Sequence, residues 1–193
     1  MKPFLKIIIG VSFRDTFHLK EHKQYIIVAN HNSHIDTMAI MCSVPFNMIG
    51  RVHPVAAKDY FASNFFTKLM SNLFVNAKYI DRNTPSEDNI LLMKKWLDEG
   101  CSLIIFPEGS RGKYNEKRKF KSGVSRLLKL KPEIAYVPAY IDNTGFSLPK
   151  GDLLPIPICS NIQFSKAQFI NQADSIEEIT KQIEDSVTSL NKD

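Results

Sequence analysis

The chain has only three cysteines, Cys42, Cys101 and Cys159, and no Cys-x-x-Cys pair. An odd count at wide spacing argues against a zinc site or a redox motif and fits a reducing compartment. Long hydrophobic runs are also missing. No stretch approaches the ~18–20 apolar residues of a transmembrane helix. The first residues mix Lys2 and Lys6 with apolar ones and offer neither a long apolar core nor a small-residue cleavage site, so no signal peptide is expected. There is no internal repeat, no low-complexity segment and no linker. Charge of one sign is scarcely in excess: 25 Lys and Arg against 20 Asp and Glu, a net +5. That balance suits anionic lipid, CoA phosphates, an acidic carrier or nucleic acid equally, and selects none of them. What is present is 193 residues of ordinary globular composition, enough for one domain with a real core.

Short apolar runs alternate with longer helical patterns, which predicts an α/β domain with a central, mostly parallel or mixed sheet flanked by helices. Residues 25–29 are short, apolar and β-branched, a buried strand ending at Asn30-His31. Ser33 with Asp36 three residues on reads as a helix start. Pro54 to Ala57 is a second strand. Residues 60–75 carry a wide apolar face at helical spacing, from Phe61 to Phe74; such a face is core, or an acyl-chain groove or membrane contact. Thr84-Pro85-Ser86-Glu87 predicts a capped helix start, with Ile90, Leu91, Met93, Trp96 and Leu97 facing inward and Gly100 as left-handed terminator. Ser102 to Phe106 follows as a strand that Pro107 stops, and Cys101 before it reads as a buried thiol. Further on come a helix at Ser122 to Leu130, a strand from Ala135 to Ile141 interrupted by Pro138, a turn-rich loop at Leu148 to Asp152, a last strand at Ile158 to Phe164, and an amphipathic helix over about 176–190. Met1 to Lys23 suits a strand as well as a helix.

Two constellations carry chemistry. In the first, Asn30-His31-Asn32-Ser33-His34-Ile35-Asp36, His31 stands where a strand ends, the place where α/β sheets build sites. In one straight helix a five-residue gap would set His31 and Asp36 ~140° apart. With His31 in the turn and Asp36 in the first helical turn they can meet, and the carboxylate can hold one ring nitrogen while the other acts as base. Asp36 as a plain helix cap and His31 as a hydrogen-bonded turn residue are the bland alternatives, and His34 is a capping or solvated neighbour. The second constellation is Phe106-Pro107-Glu108-Gly109-Ser110-Arg111-Gly112. Its glycines let a ligand approach the backbone, and Ser110 and Arg111 offer donors to a phosphate. It has neither the spacing of a Walker loop nor the Gly-x-Ser-x-Gly of a nucleophile elbow. The basic run from Lys113 to Lys121 is either a solvated loop or an attraction for CoA phosphates, an acidic acyl carrier or anionic headgroups.

Together these residues resemble the glycerolipid acyltransferase family, which includes the 1-acylglycerol-3-phosphate acyltransferases. Its Asn-His-x-Ser-x-x-Asp motif matches Asn30, His31, Ser33 and Asp36. Its aromatic-Ile/Val-Asp-Arg matches Tyr79-Ile80-Asp81-Arg82. Its Phe-Pro-Glu-Gly-Thr/Ser-Arg matches Phe106 to Arg111, followed by Phe120-Lys121-x-Gly123. Its Val-Pro before an aliphatic strand matches Val137-Pro138 and Ile141. Four motifs in order, over about residues 22–165 of a single domain spanning 1–193, are far more specific than any one.

The resemblance implies direct transfer of a fatty acyl group from an acyl thioester, acyl-CoA or acyl-carrier protein, to a hydroxyl of a lysophospholipid, foremost 1-acylglycerol 3-phosphate, in phospholipid synthesis. His31 is then the base and Asp36 its orienter, with no acyl-enzyme, metal or cofactor. Arg82 and Arg111 bind the acceptor phosphate, Glu108, Gly109 and Ser110 shape that site, and Lys121 assists. Backbone N–H groups near the two motifs are candidates for the oxyanion hole. Many members begin with membrane helices. Only about two dozen residues precede the first motif strand here, so the expectation is a cytoplasmic protein, peripheral on the inner face of a membrane. Another acceptor such as glycerol 3-phosphate, a thioesterase-like hydrolase and a non-catalytic lipid-binding module are the alternatives. No nucleic-acid recognition motif is present.

Overall fold

In the computed structural model of the chain, residues 11–33, 35–58, 76–110, 118–142 and 161–191 are described. Within them seven strands form one mixed sheet: β1 (Ser12–Arg14), β2 (Tyr25–Ala29), β3 (Val52–Ala57), β4 (Lys78–Ile80), β5 (Ser102–Ile105), β6 (Ala135–Asp142) and β7 (Asn161–Phe164). Their order across the sheet is β1-β7-β6-β2-β5-β3-β4. All neighbours are parallel except β6 and β7. Four α-helices accompany it: α1 (Ile35–Ser43), α2 (Ser86–Asp98), α3 (Gly123–Leu130) and α4 (Ile176–Thr188).

The central strand β2 is buried at every residue, and the two-residue period of its side chains divides the core. Tyr25, Ile27 and Ala29 face one way, into a cluster with Ala39, Ile40 and Met41 of α1. Ile26 and Val28 face the other, against Met93 and Leu97 of α2, Leu127 and Leu128 of α3, and Ile179 and Ile183 of α4. The molecule is thus three layers deep, as the alternating pattern predicts. Each fully buried aliphatic side chain contributes about 1.5–3 kcal/mol.

Local signals set most element ends. Gly100, at φ 82°, ends α2; its N–H donates to Leu97 O and that of Cys101 to Trp96 O, a Schellman pair. Ser175 opens α4 with a capping box closed by Glu178. Other expectations are corrected. Thr84 is not the cap of α2: its hydroxyl donates to Asp81 O instead, and the helix starts at Ser86 with no side-chain cap. Leu91 is exposed, because it falls off the stripe that meets the sheet. Cys101 is half-buried, since its strand begins only at Ser102. β6 runs unbroken through Pro138. In the β6–β7 register Pro138 falls opposite Ser165, just past the end of β7, and its carbonyl still accepts from Ser165 N–H at 2.9 Å. The pair thus keeps one of its two bonds through the Pro138 carbonyl, and the absent N–H costs only the other, at a position beyond the end of β7. The apolar face over 60–75, His34, Cys159 and the 148–152 loop lie outside the described residues.

The sheet order also gathers the motifs. β2, β5 and β4 run parallel; the first and third motifs follow the C-terminal ends of β2 and β5, and the second spans that of β4. Topology alone therefore carries three segments distant in sequence to one edge of one sheet.

Candidate active site

His31 leaves β2 in extended coil, and Asp36 enters α1 one residue after its start. The Asp36 carboxylate is fully buried. One of its oxygens, Oδ2, accepts three hydrogen bonds: from His31 Nδ1 at 2.9 Å, from Asn32 N–H at 2.7 Å and from Ser33 N–H at 2.8 Å. Cap and orienter are therefore the same atom. An ionised carboxylate only accepts, so His31 carries its proton on Nδ1 and leaves Nε2 as the basic nitrogen. Nε2 makes no hydrogen bond among the described residues. The ring stacks on Phe106, with centroids 4.2 Å apart and planes 19° from parallel, so the imidazole is held on its face as well as its edge.

Two partly buried polar links join this turn to its neighbours. The carboxamide of Asn30 donates to Ile141 O and accepts from Ile141 N–H, each at 2.8 Å. It adds a side-chain rung to the β2–β6 ladder just past Ala29. Glu108, buried after β5, accepts from His31 N–H through Oε1 at 3.0 Å. The glutamate predicted to shape the acceptor site thus also splices the first motif to the third, across 77 residues of sequence.

Beyond Glu108 the chain turns at Gly109, at φ 74°. Arg82 donates to its carbonyl from Nη2 at 2.6 Å. A Cβ added to Gly109 would lie 2.8 Å from Lys121 Nζ, so the missing side chain is what lets the amine rest against this backbone. Lys121 N–H donates to Pro107 O at 3.0 Å, and Arg118 donates to Ser110 Oγ at 2.6 Å. Three cationic side chains converge on two residues, Gly109 and Ser110. Arg111 lies outside the described residues.

Chemically, a carboxylate-braced imidazole can accept a proton from a hydroxyl, and a turn ringed by cations can hold an anion. The backbone amides of His31, Asn32, Ser33 and Gly109 already donate within the protein. They are thereby removed from the candidates for an oxyanion hole.

Sequence reasoning passed over Asn30, Phe106 and Asn89 as individual residues. The Asn89 carboxamide on α2 accepts from Asp81 N–H at 3.1 Å and donates to Asp81 O at 2.7 Å. Asn30 and Phe106 sat inside motifs. Asn89 leaves no periodic or motif signal, because its role is a long-range contact with a loop.

A family model described as Acyltransferase matches residues 10–142. The chain is 30% identical over 158 residues to the 1-acyl-sn-glycerol-3-phosphate acyltransferase of Limnanthes douglasii, covering 78% of this chain and 52% of that protein. It is 30% identical over 138 residues to the enzyme of the same name from Cocos nucifera, covering 69% and 42%. The chain thus spans about half the length of the curated relatives it matches. The crystal structure of the 1-acyl-sn-glycerophosphate acyltransferase of Thermotoga maritima superposes with a TM-score of 0.67 at 17% identity, covering 95% of this chain and 73% of that one, which is a likeness of fold. The matched segment takes in the whole run from His31 to the Gly109 turn and on to β6, and the chain belongs to the acyltransferase family.

Proposed function

We propose that the chain transfers a fatty acyl group from an acyl thioester, acyl-CoA or acyl-carrier protein, to the free hydroxyl of 1-acylglycerol 3-phosphate. The observation that carries this reading is the single connected unit of base and cation cluster: Asp36 holds His31, His31 is joined through its backbone to Glu108, and the next residue, Gly109, meets Arg82 and Lys121. In this reading the acceptor's phosphate lies at the cations and its glycerol hydroxyl is presented to the imidazole. The curated relatives are named for this acceptor.

His31 Nε2 takes the hydroxyl proton as the oxygen attacks the thioester carbonyl. The tetrahedral intermediate collapses, the carbon–sulfur bond breaks, and the thiolate leaves with a proton returned from the imidazolium. Asp36 holds the ring and stabilises its charged form. The chain's own side chains suffice for acid–base chemistry without an acyl-enzyme, a metal or a cofactor. Among the described residues no helix is long and apolar enough to cross a membrane. Because acceptor and product are lipids, we place the working protein at a membrane surface, on its cytoplasmic face where acyl thioesters are made.

Thiol release from acyl-CoA by the purified protein tests the proposal, with and without 1-acylglycerol 3-phosphate. The expected result is acceptor-dependent release that His31→Ala abolishes. Release at the same rate without acceptor would instead identify a hydrolase.

A further inference from the structure

Each of the two cations at Gly109 follows a residue whose backbone is held by a helix side chain. Asp81, before Arg82, has both its N–H and its carbonyl engaged by the one carboxamide of Asn89 on α2. Phe120, before Lys121, donates its N–H to Glu184 Oε2 on α4 at 3.1 Å. The helices do not need these two residues for their own packing. Ile90, Met93, Trp96 and Leu97 bury α2, and Ile179, Ile183 and Val187 bury α4. Both Asn89 and Glu184 are only half-buried. Asparagine is also a weak helix former, so nothing in α2 itself calls for one.

Arginine and lysine side chains have many rotamers, and where their charges fall depends on where the backbone launches them. Pinning the preceding residue narrows that range before any ligand arrives. We propose that Asn89 and Glu184 are positioning residues that set Arg82 and Lys121 against the Gly109 turn, and so determine the preference for phosphorylated over neutral acceptors. The proposal rests on the reading of 1-acylglycerol 3-phosphate as acceptor.

The test compares wild type, Asn89→Ala, Glu184→Ala and the conservative Glu184→Gln, with acyl-CoA as donor and either 1-acylglycerol 3-phosphate or uncharged 1-acylglycerol as acceptor. In the two alanine variants KM for the phosphorylated acceptor rises about tenfold while kcat and donor KM stay within about twofold, the split expected when binding of one charged group is weakened. The preference for phosphorylated over neutral acceptor falls by the same factor, and Glu184→Gln, which keeps an oxygen acceptor for Phe120 N–H, restores it. An unchanged preference, or an equal loss on both acceptors with a lowered melting temperature, overturns the proposal and leaves the two residues as braces of the fold. If wild type does not turn over 1-acylglycerol 3-phosphate, the acceptor reading fails on its own. Calorimetric binding of inorganic phosphate then decides the positioning claim: weaker binding by Asn89→Ala than by wild type supports it, and equal binding overturns it.

Discussion

His31 and Asp36 stand five residues apart, yet the sequence left open whether the carboxylate caps a helix or orients a base. The structure makes these one role, because Oδ2 takes the His31 ring N–H and the two backbone N–H groups together. Asp36→Asn is therefore expected to separate stability from chemistry. A carboxamide oxygen can still accept from the backbone, so the loss of stability should stay near that of a helix cap, ~0.5–2 kcal/mol. The imidazolium loses its counter-charge and its enforced tautomer, so kcat should fall by at least about a hundredfold. Parallel measurement of kcat and of urea unfolding checks this. A variant with near-full rate would reduce Asp36 to a cap.

At the scale of elements, the loop after β5 is the junction on which the site turns. Glu108 faces the His31 turn, and Gly109 faces the cations. Gly109→Ala acts there in two ways. Its φ of 74° is costly for a residue with a Cβ, by about 1 kcal/mol. The new methyl also meets Lys121 Nζ, which is flexible and swings away at little energetic expense but leaves the turn. A modest drop in melting temperature with a several-fold rise in acceptor KM is the expected outcome, read by thermal denaturation and steady-state kinetics. An acceptor KM equal to that of wild type would show that the amine does not act from this position. The helix and strand leading into this loop were legible from the periodic apolar face of α2, from Gly100 and from the apolar run Ser102 to Phe106. The start of α2 was legible only to within a residue: Pro85, not Thr84, stands at the cap position, and the Thr84 hydroxyl donates to Asp81 O.

Across the whole molecule, buried phenols oppose alkaline pH, the pKa values of Tyr136 and Tyr25 both being raised by burial. Tyr25 starts the central strand, is fully enclosed, and its hydroxyl has no hydrogen-bond partner among the described residues. Burial pushes its pKa up from 10.0 to about 12. The neutral phenol is the form the fold accepts, so its contribution is fully present below pH 10.0, the unfolded value, and is lost as pH rises through about 12. Tyr25→Phe should remove that alkaline loss and add about 1 kcal/mol at neutral pH, since a buried hydroxyl without a partner is itself unfavourable. Urea unfolding at neutral pH and at about pH 11 tests both signs. Equal alkaline sensitivity in the variant would place the loss in another group.

By itself the sequence determined the layered α/β class, the positions of β2, β3, β5, β6, β7 and the four helices within a few residues, and the family to which the chain belongs; β1 and β4, three residues each, left no strand signal of their own. Those properties rest on local periodicity and on short motifs, which the order of residues carries directly. Only the tertiary structure decided that Glu108 binds the His31 backbone, that Asn30 extends the ladder to Ile141, that β6 passes through Pro138 unbroken, and that Asn89 and Glu184 hold the residues before Arg82 and Lys121. Each of these depends on how separate segments of the chain come together. Such contacts follow from which strand lies beside which and in what register, and that is settled by packing both faces of the sheet at once.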